Sequence, residues 1–190
     1  GTITFTPDKQ YVGTPASVTV KRVDKNGTEV TATYTPTVTR VTPTSTNAES
    51  TGIQGQPQSG KPTFSPGDQA VPIDMTKPMT FENGTDTLVV ANQGTYTINS
   101  DGSITFTPDK KYVVTPAAVT VKRVDENGTE VTATYTPTVT EVTPKSTNAV
   151  SSGLQGQPQS GKPTFTPGDK AVPIDMTKDL PFDDGKKTKK

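Results

Sequence analysis

Val30-Thr31-Ala32-Thr33-Tyr34-Thr35-Pro36-Thr37-Val38-Thr39 alternates without a break. Val30, Ala32, Tyr34, Pro36 and Val38 fall on one side, and a threonine fills every position between and after them. Side chains of an extended strand point alternately to its two faces, so this is the pattern of a half-buried β-strand. Threonine suits the polar face because its branched Cβ fits the pleat. Pro36 has no N–H to give to a ladder, which predicts an edge or a bulge near that point. A strand running from Glu29 to Val41 would reach roughly 40 Å at about 3.3 Å per residue.

Working back towards the N-terminus, Val18-Thr19-Val20 precedes this strand through Asp24-Lys25-Asn26-Gly27-Thr28. The Asn-Gly pair signals a hairpin. Two registers compete. A two-residue Asn26-Gly27 loop would set Val18 and Val20 opposite Thr35 and Thr33. A three-residue Lys25-Asn26-Gly27 loop would set them opposite Tyr34 and Ala32. A buried face decides register, so the three-residue loop is expected, with Gly27 left-handed in a bulge. The same logic applies further on. Tyr96 and Ile98 pair with Phe106 and Ile104 if Ser100-Asp101-Gly102 forms the loop, again with glycine third.

Short strands are also expected at Thr87–Val90, around Thr63-Phe64 and around Val71–Ile73. Turn signals recur every ten or so residues. The sum reads as all-β, a tandem antiparallel β-sandwich of immunoglobulin-like size and architecture in an extended arrangement. The Cys…Trp…Cys hallmark of true immunoglobulin domains is missing. The stretch from about Pro43 to Gly60 is rich in Pro, Ser, Thr, Gly and Gln, and reads as a linker or extended lead-in.

Displaced by 101 residues, the sequence superposes on itself from Gly1 to Val89, with 68 of 89 pairs identical. A period of that size is a whole domain, not a solenoid repeat. One complete unit is expected at 43–143, preceded at 1–42 by the later part of another and followed at 144–190 by the opening part of a third. The expected core is Val18, Val20, Val30, Ala32 and Tyr34 with their copies Val119, Val121, Val131, Ala133 and Tyr135, together with Tyr96, Ile98, Ile104 and Phe106. The expected hairpin turns are Asn26-Gly27, Asp101-Gly102 and Asn127-Gly128. The truncated ends should fray or pair with another chain.

Composition narrows the function. The 190 residues carry 19 basic and 19 acidic side chains, with no Cys, no His and no Trp. Disulfides, thiolate or imidazole metal sites, and Cys- or His-based catalysis are excluded. Zero net charge speaks against nucleic acid as partner. No run of apolar residues is long enough to span a membrane, and no signal peptide opens the chain. Leu, Ile, Val and Phe together make 35 residues, against 38 threonines. So low an apolar content borders on disorder, but the period-two placement puts those residues on inward positions.

Motifs with a chemical reading all have a plainer one. Gly55-Gln56-Pro57-Gln58-Ser59-Gly60-Lys61 has phosphate-loop spacing. However, Pro62 stands where a magnesium-binding hydroxyl is needed, and no helix can pass Pro62, Pro66 and Pro72. Asp24-Lys25-Asn26-Gly27 and Asn99-Ser100-Asp101-Gly102 hold calcium-type oxygens without the spaced acids of a calcium loop. Asn26-Gly27-Thr28, Asn83-Gly84-Thr85 and Asn127-Gly128-Thr129 are N-glycosylation triplets that a turn entering a threonine-rich strand creates by itself. Asp8, Asp74 and Glu82 are acids with nothing to bring two of them together. Lys186-Lys187-Thr188-Lys189-Lys190 reads as a charged edge strand. A Lys–Asn crosslink would draw on Lys21 or Lys122, which parity places away from the core face. No cofactor or metal is expected, and no enzyme activity.

The string TFTPDKKYVVTPAAVTVKRVDENGTEVTATYTPTV, with QGQPQSGKPTFTPGDKAVPID after it, resembles the CshA-type fibril repeat of cell-wall-anchored adhesins of Gram-positive bacteria, notably streptococci. The motifs G-x-x-T-F-T-P, V-D-x-N-G-T and T-Y-T-P-T-V at fixed spacing carry the likeness, which covers essentially the whole chain. It implies tandem β-sandwich modules outside the cell, forming a stalk that carries a separate ligand-binding region away from the wall. Adjacent repeats are then the first partners, with no membrane contact by this segment and no catalytic residues. The alternative is that the repeats themselves bind a host matrix protein, a glycan or neighbouring fibrils. Tyr11 and Tyr112, in proline-flanked loops, are the aromatic candidates for that.

Overall fold

The computed structural model describes residues 1–181. Fourteen strands lie among them: β1 (Val18–Val23), β2 (Glu29–Tyr34), β3 (Thr44–Thr46), β4 (Ala48–Ile53), β5 (Gln58–Gly60), β6 (Thr63–Ser65), β7 (Thr80–Phe81), β8 (Thr87–Val90), β9 (Gly94–Ile98), β10 (Ile104–Pro108), β11 (Val119–Val124), β12 (Glu130–Thr140), β13 (Lys145–Thr147) and β14 (Thr164–Thr166). The fold is all-β, and no helix among the described residues is long and apolar enough to cross a membrane.

Two four-stranded sheets, in the orders β4-β12-β11-β7 and β5-β10-β9-β8, dominate the central unit, with the two-stranded sheet β3-β6 beside them. Hairpins build most of each sheet. β11 and β12 pair with Val119 opposite Tyr135 and Val121 opposite Ala133; β9 and β10 pair with Tyr96 opposite Phe106 and Ile98 opposite Ile104. β1 and β2 repeat the first register, Val18 opposite Tyr34 and Val20 opposite Ala32. These registers require three-residue loops, and Gly27, Gly102 and Gly128 take the left-handed conformation there, with φ of 87°, 82° and 85°. Glycine meets that demand without a Cβ penalty.

The core packs between the two sheets. Tyr96, Ile104, Phe106, Val121 and Tyr135 are fully buried, with Val119 and Ala133 buried beside them and Ile98 partly so; Val131 is buried outside this cluster. Tyr96 is its hub. Its ring stacks on Phe106 at 4.4 Å and meets Phe81 and Tyr135 edge-on at 6.5 and 6.2 Å. Offset stacks and edge-to-face pairs suit the ring quadrupole and add to burial.

Several expectations need correction. Val18, Val20 and Val30 are 51, 44 and 65 % exposed, Ala32 is exposed and Tyr34 half-buried. β1 and β2 form a two-stranded sheet by themselves, so parity alone cannot bury them: no second sheet packs on their apolar face. β2 also stops at Tyr34 and does not run on to Val41, whereas its copy β12 continues to Thr140. The supposed linker at Pro43–Gly60 contains β3, β4 and β5. β4 runs parallel to β12, Ala48 beside Tyr135 and Ser50 beside Pro137, the exception in sheets otherwise paired antiparallel. Val71–Ile73 forms no strand. Pro72 breaks it into single bridges, Asp68 to Val71 and Ile73 to Asp125.

Pro137 sits inside β12 and is fully buried. Val139 exchanges both backbone bonds with Val114, at 3.0 Å each. Alternation of the backbone then turns the nitrogen of Pro137 to the same side, where β11 has already ended and the ladder lapses until Val114. The proline therefore occupies a break in the ladder, where no N–H is needed.

Candidate functional site: the seams at the two ends of the long strand

The residues singled out as turns act as turns. Asp24 Oδ1 accepts from the amides of Asn26 and Thr28, and Asp125 Oδ1 from those of Asn127 and Thr129 at 3.0 and 2.7 Å. Asp101 Oδ1 accepts from the amide and hydroxyl of Ser103. The Ser103 bonds hold the Asp101 carboxyl below its usual range; for Asp24 the Thr28 and Asn26 amides do the same. These oxygens are spent on Asx turns. Among the described residues no group of three or more acids, Cys or His could hold a metal ion.

The phosphate-loop spacing falls on β5, and its Lys61 Nζ lies 3.9 Å from Asp101 Oδ2. Asp8, Asp74 and Glu82 lie in three separate turns, at 8–11, 74–77 and 81–84. Asn83 Oδ1 accepts from the Thr85 amide and hydroxyl. Lys21 and Lys122 reach Glu29 and Glu130 at 3.0 and 3.2 Å across their own hairpins. Tyr112 packs edge-on against Phe106 and the core, and Tyr11 against Phe5 at 6.4 Å. The basic run Lys186–Lys190 lies outside the described residues.

What the sequence did not announce is a polar relay between β4 and β12. Ser50 Oγ donates to Gln58 Oε1 at 2.6 Å, and Tyr135 Oη lies 2.7 Å from Ser50 Oγ. Since Ser50 has spent its proton, the tyrosine is the donor. Gln58 Nε2 donates onward to the Thr138 carbonyl at 3.0 Å. Gly60 lies beneath the ring of Tyr135, where an added Cβ would come within 2.6 Å of Cε2. Small residues at every second position, Ala48, Ser50 and Gly52, were the signal that this segment packs against something large.

The central unit meets the flanking segments at two seams. At the first, Lys9 Nζ donates to the Glu126 carbonyl at 3.2 Å. Gln10 Nε2 packs over Gly128, 3.2 Å from where a Cβ would stand. A cleft of about 430 Å³ lies here, lined by Lys9, Tyr11, Arg40 and Val41 on one side and Val71, Asn127 and Thr129 on the other. At the second, Gln56 Nε2 donates to the Ala171 carbonyl at 3.1 Å. Asp175 has its carboxyl lowered chiefly by the Thr177 hydroxyl and amide, with the Lys110 charge adding to them. The seams stand at opposite ends of one strand. Glu126–Thr129 leads into β12 at Glu130. At its far end the Thr140 carbonyl accepts from the Gln54 amide, and Gln54 Nε2 anchors the loop of Lys110.

Comparison with known proteins accords with the internal repeat. The sequence profile of the surface adhesin CshA repetitive domain matches residues 1–38, 40–139 and 141–190. The NMR structure of repeat domain 13 of the fibrillar adhesin CshA from Streptococcus gordonii is 60 % identical over 37 % of this chain and 90 % of that one, with a TM-score of 0.22. The likeness to that domain is one of sequence. No curated protein matches the chain.

Proposed function

The chain belongs to the repetitive-domain family of the surface adhesin CshA, and from that premise we propose that it is a stalk segment, a spacer that sets a separate ligand-binding region at a distance from the cell wall. In this reading the repeat performs no chemistry, and its work is geometric. One complete repeat spans 43–143, flanked by the later part of a preceding repeat and the opening part of a following one.

The observation that carries the proposal is the placement of the seams. Neighbours attach at the two ends of β12, whose 11 residues reach roughly 36 Å at about 3.3 Å per residue. Attachment at both ends of the longest strand adds length with each repeat. The core is drawn from residues 48–139 alone, so each repeat closes its own core and copy number can vary without unpicking a neighbour.

The test is made on the cell surface. Versions of the full surface protein carrying different numbers of 101-residue units are displayed, and fibre height is measured by electron microscopy. Height rising in proportion to unit number supports the spacer. Unchanged height, with ligand capture by the isolated repeats, favours the binding alternative.

A further inference from the structure

The two seams are one joint seen in two incomplete views. Lys9 and Lys110 are the same position of the repeat, as are Val41 and Val142, Val71 and Val172, and Asp74 and Asp175. The first seam includes the hairpin Glu126–Thr129 but no counterpart of the Gln54–Gln56 turn. The second includes that turn but no hairpin. Laid over one another by the 101-residue shift, their parts do not compete. One repeat presents the Lys9/Lys110 loop, the end of its long strand and the Gln54–Gln56 turn. The next presents the Val71/Val172 segment and its hairpin.

We propose that consecutive repeats dock through this single composite joint, each repeat taking the next as its partner and being held at a set angle to it. The grips are side chain to main chain. Lys9 takes the Glu126 carbonyl and Gln56 the Ala171 carbonyl. Main-chain acceptors exist whatever side chain a copy carries, so the joint tolerates drift between copies. Glu126 itself replaces Lys25 of the preceding copy and Lys111 replaces Gln10, yet neither change removes an acceptor or a donor named here. Several weak contacts around a cleft resist bending in a way that one does not, since each must be broken to change the angle.

This inference rests on the stalk reading, and the two fail separately. The intact 190-residue chain has no cysteine, so Thr33→Cys and Thr97→Cys, both exposed, give spin-label positions on either side of the first seam. Pulsed electron resonance should return one narrow distance distribution. Lys9→Ala, and more strongly Lys9→Ala with Val71→Ser, should broaden it while the far-ultraviolet spectrum stays unchanged. A broad distribution in the parent chain, or a narrow one that the substitutions leave untouched, overturns the composite joint. Either result would leave fibre height free to grow with copy number, so the spacer would stand as a flexible one.

Discussion

Tyr135 Oη donates to Ser50 Oγ across 2.7 Å, tying β12 to a strand that lies parallel to it and far away in sequence. Parallel strands are harder to join and slightly weaker per residue than antiparallel ones. Here a half-buried side-chain relay through Ser50 and Gln58 reinforces the pair. Tyr135→Phe strips the donor from Ser50 while keeping the ring, and should cost about 1–2 kcal/mol in chemical denaturation.

Tyr96 gives the opposite result. Its hydroxyl is buried with no hydrogen-bond partner, and a buried polar atom left unpaired costs about 1–3 kcal/mol. Tyr96→Phe keeps the stack on Phe106 and removes that penalty. The expected outcome is unchanged or higher stability, so of two Tyr→Phe substitutions in one core only the one at Tyr135 should lower the denaturation midpoint.

Val114 holds φ at 93°, a conformation that a β-branched residue rarely adopts, and the equivalent residue of the preceding copy is Gly13 at 133°. Val114→Gly should therefore stabilise the central unit by roughly 1 kcal/mol, the scale of a strained φ relieved. A melting temperature that falls instead would show that the side chain is worth more than the strain.

Identical residues in two copies should respond unequally. Val121 is fully buried and Val20 is 44 % exposed. Val121→Ala should cost about 2 kcal/mol, at the lower end of large-to-small core changes, whereas Val20→Ala should stay within about 0.5 kcal/mol. Equal losses would mean that β1 and β2 are covered in solution.

Stability should fall at both extremes of pH. The Asp101 carboxyl is lowered by Ser103, and Asp74 by Thr76. A depressed carboxylate contributes stability above its unfolded value of about 4, and that contribution is lost as pH falls through the folded one. Burial raises the Tyr96 and Tyr135 hydroxyls. Their contribution is intact below about pH 10, where an unfolded tyrosine ionises, and is lost as pH climbs beyond it. Denaturation midpoints followed across pH should be flat through neutrality, and Asp101→Asn should make the acid limb shallower.

Much of the strand pairing was legible because alternation and glycine-third loops are local signals. Val18 opposite Tyr34 and Ile98 opposite Ile104 follow from residues a short loop apart. Exposure was not legible for Val18, Val20 and Val30, because parity names a face without saying what covers it. β4 and β5 were missed for a different reason. Ser50, Gly52, Gln58 and Gly60 carry almost no apolar weight, and they belong to the fold through backbone pairing, through the bond of Ser50 to Tyr135, a residue more than seventy positions away, and through the room Gly60 leaves for its ring. The seams likewise depend on main-chain carbonyls, which leave no mark in side-chain composition.

If the repeat is a spacer, each repeat adds length along one line. Small-angle X-ray scattering on chains of two and four complete repeats measures this in solution. The maximum dimension should grow by a constant step per repeat, comparable to the roughly 36 Å reach of β12. A compact particle whose maximum dimension stays nearly constant as repeats are added would contradict it.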